Sequence, residues 1–100
     1  MDKLYQGDIL RIERIKHPVL IVSKDYFNTS GEIIGCPIIE RSVLGPLHIY
    51  VSTDEIEGFV NCEKLALLDM TYRGFKKIGR LSTFDLMNIS DAIQGIFEYI

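Results

Sequence analysis

These 100 residues have room for one domain, and with 47% hydrophobic and 25% charged residues they lie far from the composition of chains that stay disordered. A core this small is thin, and dimerisation would be its natural supplement. The net charge of −3 excludes a protein that coats nucleic acid through a broadly basic surface, so any contact with RNA or DNA must be local.

In chain order, Gly7-Asp8 opens a first strand that the pattern carries to about Arg14, with Leu10 and Ile12 on one face and Arg11 and Glu13 on a solvated one. After the very short connection Ile15-Lys16-His17, Pro18 leads into Val19-Leu20-Ile21-Val22, an apolar run that reads as a strand buried on both faces. Asn28 to Gly31 reads as a turn, and Glu32 to Ile39 as a third strand in which Pro37 marks a bulge or an edge. A Gly45-Pro46 turn precedes a half-buried strand in which Leu47, Ile49 and Val51 alternate with His48, Tyr50 and Ser52. Asp54 to Glu57 is an acidic, exposed turn. Phe59 to Cys62 follows as a short strand, closed by Glu63 and Lys64. Leu65 to Leu68 fits a strand or a helical turn, and Phe75 to Leu81 is a basic strand.

Ser82, with Asp85 three residues on, signals a helix start, and the spacing predicts a helix over about 83–99. Leu86, Ile89, Ile93, Ile96, Phe97 and Ile100 form its apolar stripe, and Asn88, Asp91 and Glu98 its wet side. The expected architecture is α+β but mainly β: a small, curved antiparallel barrel over about 5–81 and one C-terminal helix, in a single domain spanning 1–100. No run approaches the roughly 18 apolar residues of a membrane span, and the start MDKLYQGD lacks a basic flank and apolar signal core, so a cytoplasmic location is expected. Cys36 and Cys62 are too few for a disulfide scaffold and lack metal-site spacing; both read as reduced, buried small hydrophobes. No GxGxxG or GxxxxGK[ST] spacing supports a nucleotide cofactor.

The order of these motifs resembles the MazF/PemK/Kid family of toxins from bacterial toxin–antitoxin pairs, over nearly the whole chain. The matching residues are Gly7-Asp8, then Pro18-Val19-Leu20-Ile21-Val22 running on to Phe27-Asn28, then Cys36-Pro37-Ile38-Ile39. Cys62-Glu63-Lys64, Leu68-Asp69, Arg73 and Ile78-Gly79-Arg80-Leu81-Ser82 complete the series. The resemblance implies an SH3-like barrel, a homodimer and a metal-independent, cofactor-free endoribonuclease that cuts single-stranded mRNA until the acidic, partly disordered tail of a cognate antitoxin blocks its groove. Toxins of the CcdB type share the barrel and poison gyrase, so the alternative is a catalytically degenerate member acting as a non-enzymatic binding module, either an inhibitor of a protein target such as gyrase or a binder of the antitoxin only. This chain departs from most active relatives at three points. It has His17 where they carry an arginine, Ile39 where they carry threonine or serine, and only Ile15-Lys16-His17 where they have a longer loop.

Cleaving RNA without a metal takes a base for the 2′-hydroxyl, an acid for the leaving 5′-oxygen and a cation beside the phosphorane. Histidine chemistry serves either proton step, which makes His17 one candidate, and Glu63, expected on the same strand face as Asn61, is the other. Arg73 or Arg41 would steady the phosphate, with Ser42 beside Arg41 replacing the missing hydroxyl. Arg11, Arg14 and Lys16, together with Lys76, Lys77 and Arg80, form two basic groups able to position RNA phosphates. Tyr26, Phe27, Tyr50 and Tyr72 either stack bases or cap the barrel, and His48 with Tyr50 is either a proton-transfer pair or cross-strand packing.

Overall fold

The structure, a computed structural model, describes residues 3–98. Its elements are β1 Asp8–Ile12, β2 Val19–Ile21, α1 Asp25–Asn28, β3 Glu32–Ile39, β4 His48–Ser52, β5 Glu57–Asn61, β6 Ala66–Asp69, β7 Phe75–Arg80 and α2 Thr83–Phe97. All strand pairs are antiparallel, in the order β4-β5-β3-β2-β1-β7, with β6 added to β3. The sheet curls into a half-barrel with α2 against it, the mainly β architecture that the alternation predicts.

The long strand β3 organises the sheet because it serves three partners. β2 lines one edge, while the other is shared by β6 (Gly35↔Ala66) and β5 (Ile38↔Val60). The Ile38 N–H donates to the Pro18 carbonyl at 2.8 Å, toward β2, so the adjacent Pro37 nitrogen points to the other edge. There it falls between the last β6 pair and the first β5 pair, where no donor is needed. Pro37 therefore marks a change of partner inside the sheet rather than the bulge or edge its sequence suggests.

Curvature gives the sheet two apolar cores. Ile9, Leu20, Cys36, Ile38 and Val60 enter one, with Leu81 and Ile89; Leu10, Ile12, Val19 and Ile21 enter the other, with Leu4, Ile33 and Met70. Neighbours Ile9 and Leu10 serve opposite cores, and a register shift against β7 falls between them. The solvated face expected of β1 is thus reduced to Arg11. The strand ends at Ile12, short of Arg14, because the Ile15 N–H turns back to the Ile12 carbonyl at 3.2 Å, with Arg14 in the left-handed region at φ 67°. Both cysteines are free and buried as expected, and burial pushes their thiols up, Cys36 to about 12 and Cys62 to about 11.

Three local readings change. Leu65 to Leu68 resolves as strand, β6; the turn at Asn28 begins inside the single helical turn α1; and the acidic turn ends one residue early, because Glu57 belongs to β5. Helix α2 begins as predicted, with Ser82 Oγ accepting from the Asp85 N–H at 3.2 Å. The helix ends at Phe97, short of the expected residue 99, because Glu98 turns to extended backbone (φ −69°, ψ 129°); Ile100, expected in the stripe, lies outside the described residues. The stripe itself is only partly buried. Ile89 is fully enclosed and Leu86 and Ile93 half so, but Ile96 is 38% and Phe97 72% exposed, and Phe84 and Met87 also face outward. The helix rests chiefly on β4, which leaves its last turn uncovered.

Candidate active site

The β1–β2 pairing (Ile9↔Leu20, Leu10↔Val19) brings Arg11 level with Pro18, beside Lys16 and His17. Pro18, through the bond from Ile38, ties this connection to the end of β3. On the far side of β3, a Cβ on Gly58 would lie 2.9 Å from the Ile39 carbonyl oxygen, so glycine is what lets β5 run this close and carry Glu57 toward Glu40. Between them opens a cleft of about 390 Å³. Arg11, Lys16 and His17 share its lining with Glu40 and Glu57, over an apolar floor of Ile38 and Ile56. Tyr50 Oη donates to Glu57 Oε2 at 2.5 Å, which fixes that carboxylate and pushes the tyrosine's own pKa up. Ile39 pairs with Phe59 on the opposite face of β3, so the position where active relatives carry a hydroxyl is turned away and its acidic neighbour Glu40 lines the cleft.

Arg11 also stands directly opposite Lys76 on β7. Like charges so placed repel, and an anion between them relieves the cost. Lys77 and Arg80, expected to be free for RNA, are engaged elsewhere. Both bind the buried Asp8 (Lys77 Nζ to Oδ2 3.2 Å, Arg80 Nη1 to Oδ1 2.7 Å), and both lie over the Tyr5 ring, at 5.1 and 5.9 Å. They lock the start of β1 to the end of β7. Arg73 lies outside the cleft in the β6–β7 connection, where its charge helps hold Asp69 low, after the hydrogen bonds Asp69 accepts from Thr71. Arg41 is exposed beyond the end of β3, and Arg14 occupies its left-handed turn.

Glu63 lies in the turn after β5 rather than on the strand, yet it is gathered with Asn61 through His48, which pairs with Asn61 across β4 and β5. β5 ends at Asn61, the Lys64 N–H turns back to the Asn61 carbonyl at 3.1 Å, and strand alternation stops before it reaches Glu63. Glu63 Oε1 instead accepts from His48 Nε2 at 2.7 Å, while His48 Nδ1 donates to the Val43 carbonyl. Carbonyl and carboxylate only accept, so both ring nitrogens carry protons and His48 is held as imidazolium. Ser42 Oγ, 3.2 Å from Nδ1, donates to Asn61 Oδ1. This cluster pins the β3–β4 loop to the end of β5.

The Val43 and Glu63 acceptors raise the His48 pKa above its ordinary 6.5, and the bond from His48 lowers that of Glu63 below its ordinary 4.5. The histidine contribution to stability is therefore complete below 6.5 and lost as pH rises through the folded value, whereas the glutamate contribution is complete above 4.5 and lost as pH falls. The melting temperature of Glu63→Gln is expected to fall furthest below wild type between pH 4.5 and 6.5 and to approach it in alkaline buffer. A difference that stays constant into alkaline pH would show that the pair does not form.

Of the residues the sequence proposes, the structure gathers His17, Arg11 and Lys16 in one cleft, with Lys76 beside Arg11; Glu63, Arg41 and Arg73 lie elsewhere. Glu40 and Glu57 were missed, and no local pattern marks them, since the β3–β5 register alone brings them together. Among the described residues, no group of three or more His, Cys, Asp or Glu side chains is placed to hold a metal ion, and no helix is long and apolar enough to cross a membrane.

Comparison with known proteins adds the family. A model of the PemK-like, MazF-like toxins of type II toxin–antitoxin systems matches residues 7–97. No curated protein sequence matches the chain. The fold is similar to that of MazE–MazF (crystal form I) from Deinococcus radiodurans, with TM-score 0.88, 16% identity and 97% and 98% of the two chains covered. An endoribonuclease from a Mycobacterial species gives 0.84, 19% identity, and 97% and 93% coverage. An endoribonuclease from a Mycobacterial species in complex with its cognate antitoxin gives 0.82, 17%, and 94% of each chain.

Proposed function

Because the chain belongs to the PemK-like, MazF-like toxin family of type II toxin–antitoxin systems, we propose that it is an endoribonuclease that cuts single-stranded mRNA in the cytoplasm, with its catalytic centre in the His17 cleft. The observation that carries this reading is the convergence there of one imidazole, two cations and two carboxylates. RNA cleavage by its own 2′-hydroxyl needs those three kinds of group and nothing more. His17 and the Tyr50-oriented Glu57 divide the two proton transfers, one taking the hydroxyl proton and the other returning a proton to the leaving 5′-oxygen. Arg11 and Lys16 bind the scissile phosphate and stabilise the charge that grows on it, and Lys76 extends the track for neighbouring phosphates.

The same geometry suits two protein partners. A cognate antitoxin with an acidic segment would block the cleft by occupying the phosphate positions. A second copy of the chain would cover exposed Leu67, Ile96 and Phe97, together with the adjoining apolar cleft of about 310 Å³ lined by Val22, Ile34, Leu65 and Ile93.

The test is incubation of the purified protein with long single-stranded RNA in excess EDTA, mapping the new ends. Cuts at a short recurring sequence are expected, each leaving a 2′,3′-cyclic or 3′-phosphate on the upstream fragment and a 5′-hydroxyl on the downstream one. Intact RNA at high protein concentration would overturn the reading and direct the search to a protein target.

A further inference from the structure

A second cavity, of about 520 Å³, opens near the other end of β2, around α1 and the N-terminal segment. Tyr5 and Tyr26 line it, with the buried Leu4 and Asn28 beneath. Tyr26 is 78% exposed and packs no core, although an aromatic ring in the open carries a large uncompensated apolar surface. The polar groups inside are committed to the fold: Asn28 Nδ2 donates to the Leu4 and Ser23 carbonyls, and Asp25 Oδ1 accepts from the Gln6 N–H. What the cavity offers a ligand is therefore aromatic faces.

Lys3 and Asp25 are both part of the lining, and on the Tyr5 side Lys77 and Arg80 share the single carboxylate of Asp8, so three cations face two carboxylates and positive charge is left over. Lys77 and Arg80 belong to β7, an edge strand of the described sheet, which also carries Lys76 opposite Arg11 at the His17 cleft. Charges on either face of an edge strand are reachable along that edge. At about 3.3 Å per residue, Lys76 is the immediate neighbour of Lys77 and lies roughly 13 Å from Arg80 along β7. A single strand rising at least about 3.4 Å per nucleotide covers that distance with no more than about four nucleotides.

We propose that the Tyr5–Tyr26 cavity is an accessory nucleotide subsite. It stacks one base of the single-stranded RNA on Tyr26 and Tyr5, while Lys3 holds an adjoining phosphate, the charge that Asp8 leaves uncompensated on Lys77 and Arg80 attracts the backbone, and the strand runs along β7 from the His17 cleft. The proposal rests on the endoribonuclease reading and extends it. Stacking tolerates every base, so the subsite adds affinity and register rather than sequence preference.

The test measures binding of a fluorescein-labelled 2′-O-methyl RNA of about twelve nucleotides, which cannot be cleaved through its own 2′-hydroxyl, by anisotropy at one fixed salt concentration. Tyr26→Ala is expected to weaken binding about five- to 150-fold, the range for losing one base–aromatic stack, and Tyr26→Phe to retain it. Phe84→Ala, at a side chain 67% exposed on α2, should bind as wild type and so control for the loss of any surface aromatic. If wild type binds and Tyr26→Ala binds equally well, the subsite is overturned, the RNA reading survives, and the cavity is left to a side chain of a protein partner. If wild type binds no RNA, the endoribonuclease reading falls and takes the subsite with it.

Discussion

RNA cleavage by His17→Ala is expected to fall about 10²–10⁴-fold, the usual worth of a positioned proton-transfer group. The loss should appear in kcat rather than KM, because Arg11 and Lys16 remain to bind the phosphate. The expectation is sharp because the chain has only two histidines. The other, His48, donates from both ring nitrogens to Val43 and Glu63, and so has no lone pair with which to accept a proton. His48→Gln is accordingly expected to cleave within a few-fold of wild type. Comparable activity of His17→Ala and wild type would remove the cleft from the mechanism. A large loss in His48→Gln with none in His17→Ala would move the chemistry to the β3–β4 loop. Single-turnover cleavage of one defined oligonucleotide, with circular dichroism to verify folding, separates these outcomes.

What the sequence made legible was whatever rests on local pattern. Alternation at Leu47 to Ser52 and the apolar run Val19 to Val22 marked β4 and β2, and Ser82 with Asp85 marked the first turn of α2. Half of the candidate site was readable for the same reason, since His17 and Lys16 are neighbours and Arg11 follows from a short hairpin-like connection. The rest depends on contacts between residues far apart in the chain. Glu40 meets Glu57 only through the Ile38↔Val60 register and the bare backbone at Gly58. Lys77 and Arg80 read as free cations because their partner, Asp8, lies about seventy residues earlier, |i−j| being 72 for the Arg80 bond. Glu63 reaches His48, opposite Asn61, from the turn after β5 and not from the strand itself. Periodicity gives the direction of a side chain only while the strand lasts.

The helix supplies the largest effect on stability. Ile89→Ala is expected to cost about 2–5 kcal/mol, the range for deleting a fully buried Ile side chain from a close-packed core. Ile89 has no exposed surface, and it joins the core that holds Cys36, Val60, Cys62 and Leu81. The gain in helix propensity from isoleucine to alanine returns only a few tenths of a kcal/mol, so the sign is not in doubt. For a domain of this size the loss corresponds to a fall in melting temperature on the order of 10–30 °C. The effect is concentrated at one residue because so little else holds α2 down: Phe84, Met87, Ile96 and Phe97 face outward, and Leu86 and Ile93 are only half-covered. A 15-residue helix is marginal on its own in water and depends on this contact for its order. Ile89→Val, which keeps most of the volume, should cost about 0.5–1.5 kcal/mol, and Asn88→Ala, on the wet side one residue away, should stay within about 0.5 kcal/mol of wild type. If Ile89→Ala melts within a few degrees of wild type, α2 is held by something other than this core. The exposed face of the helix, buried against a second copy of the chain, would then be the stronger anchor, and the melting temperature would rise with protein concentration.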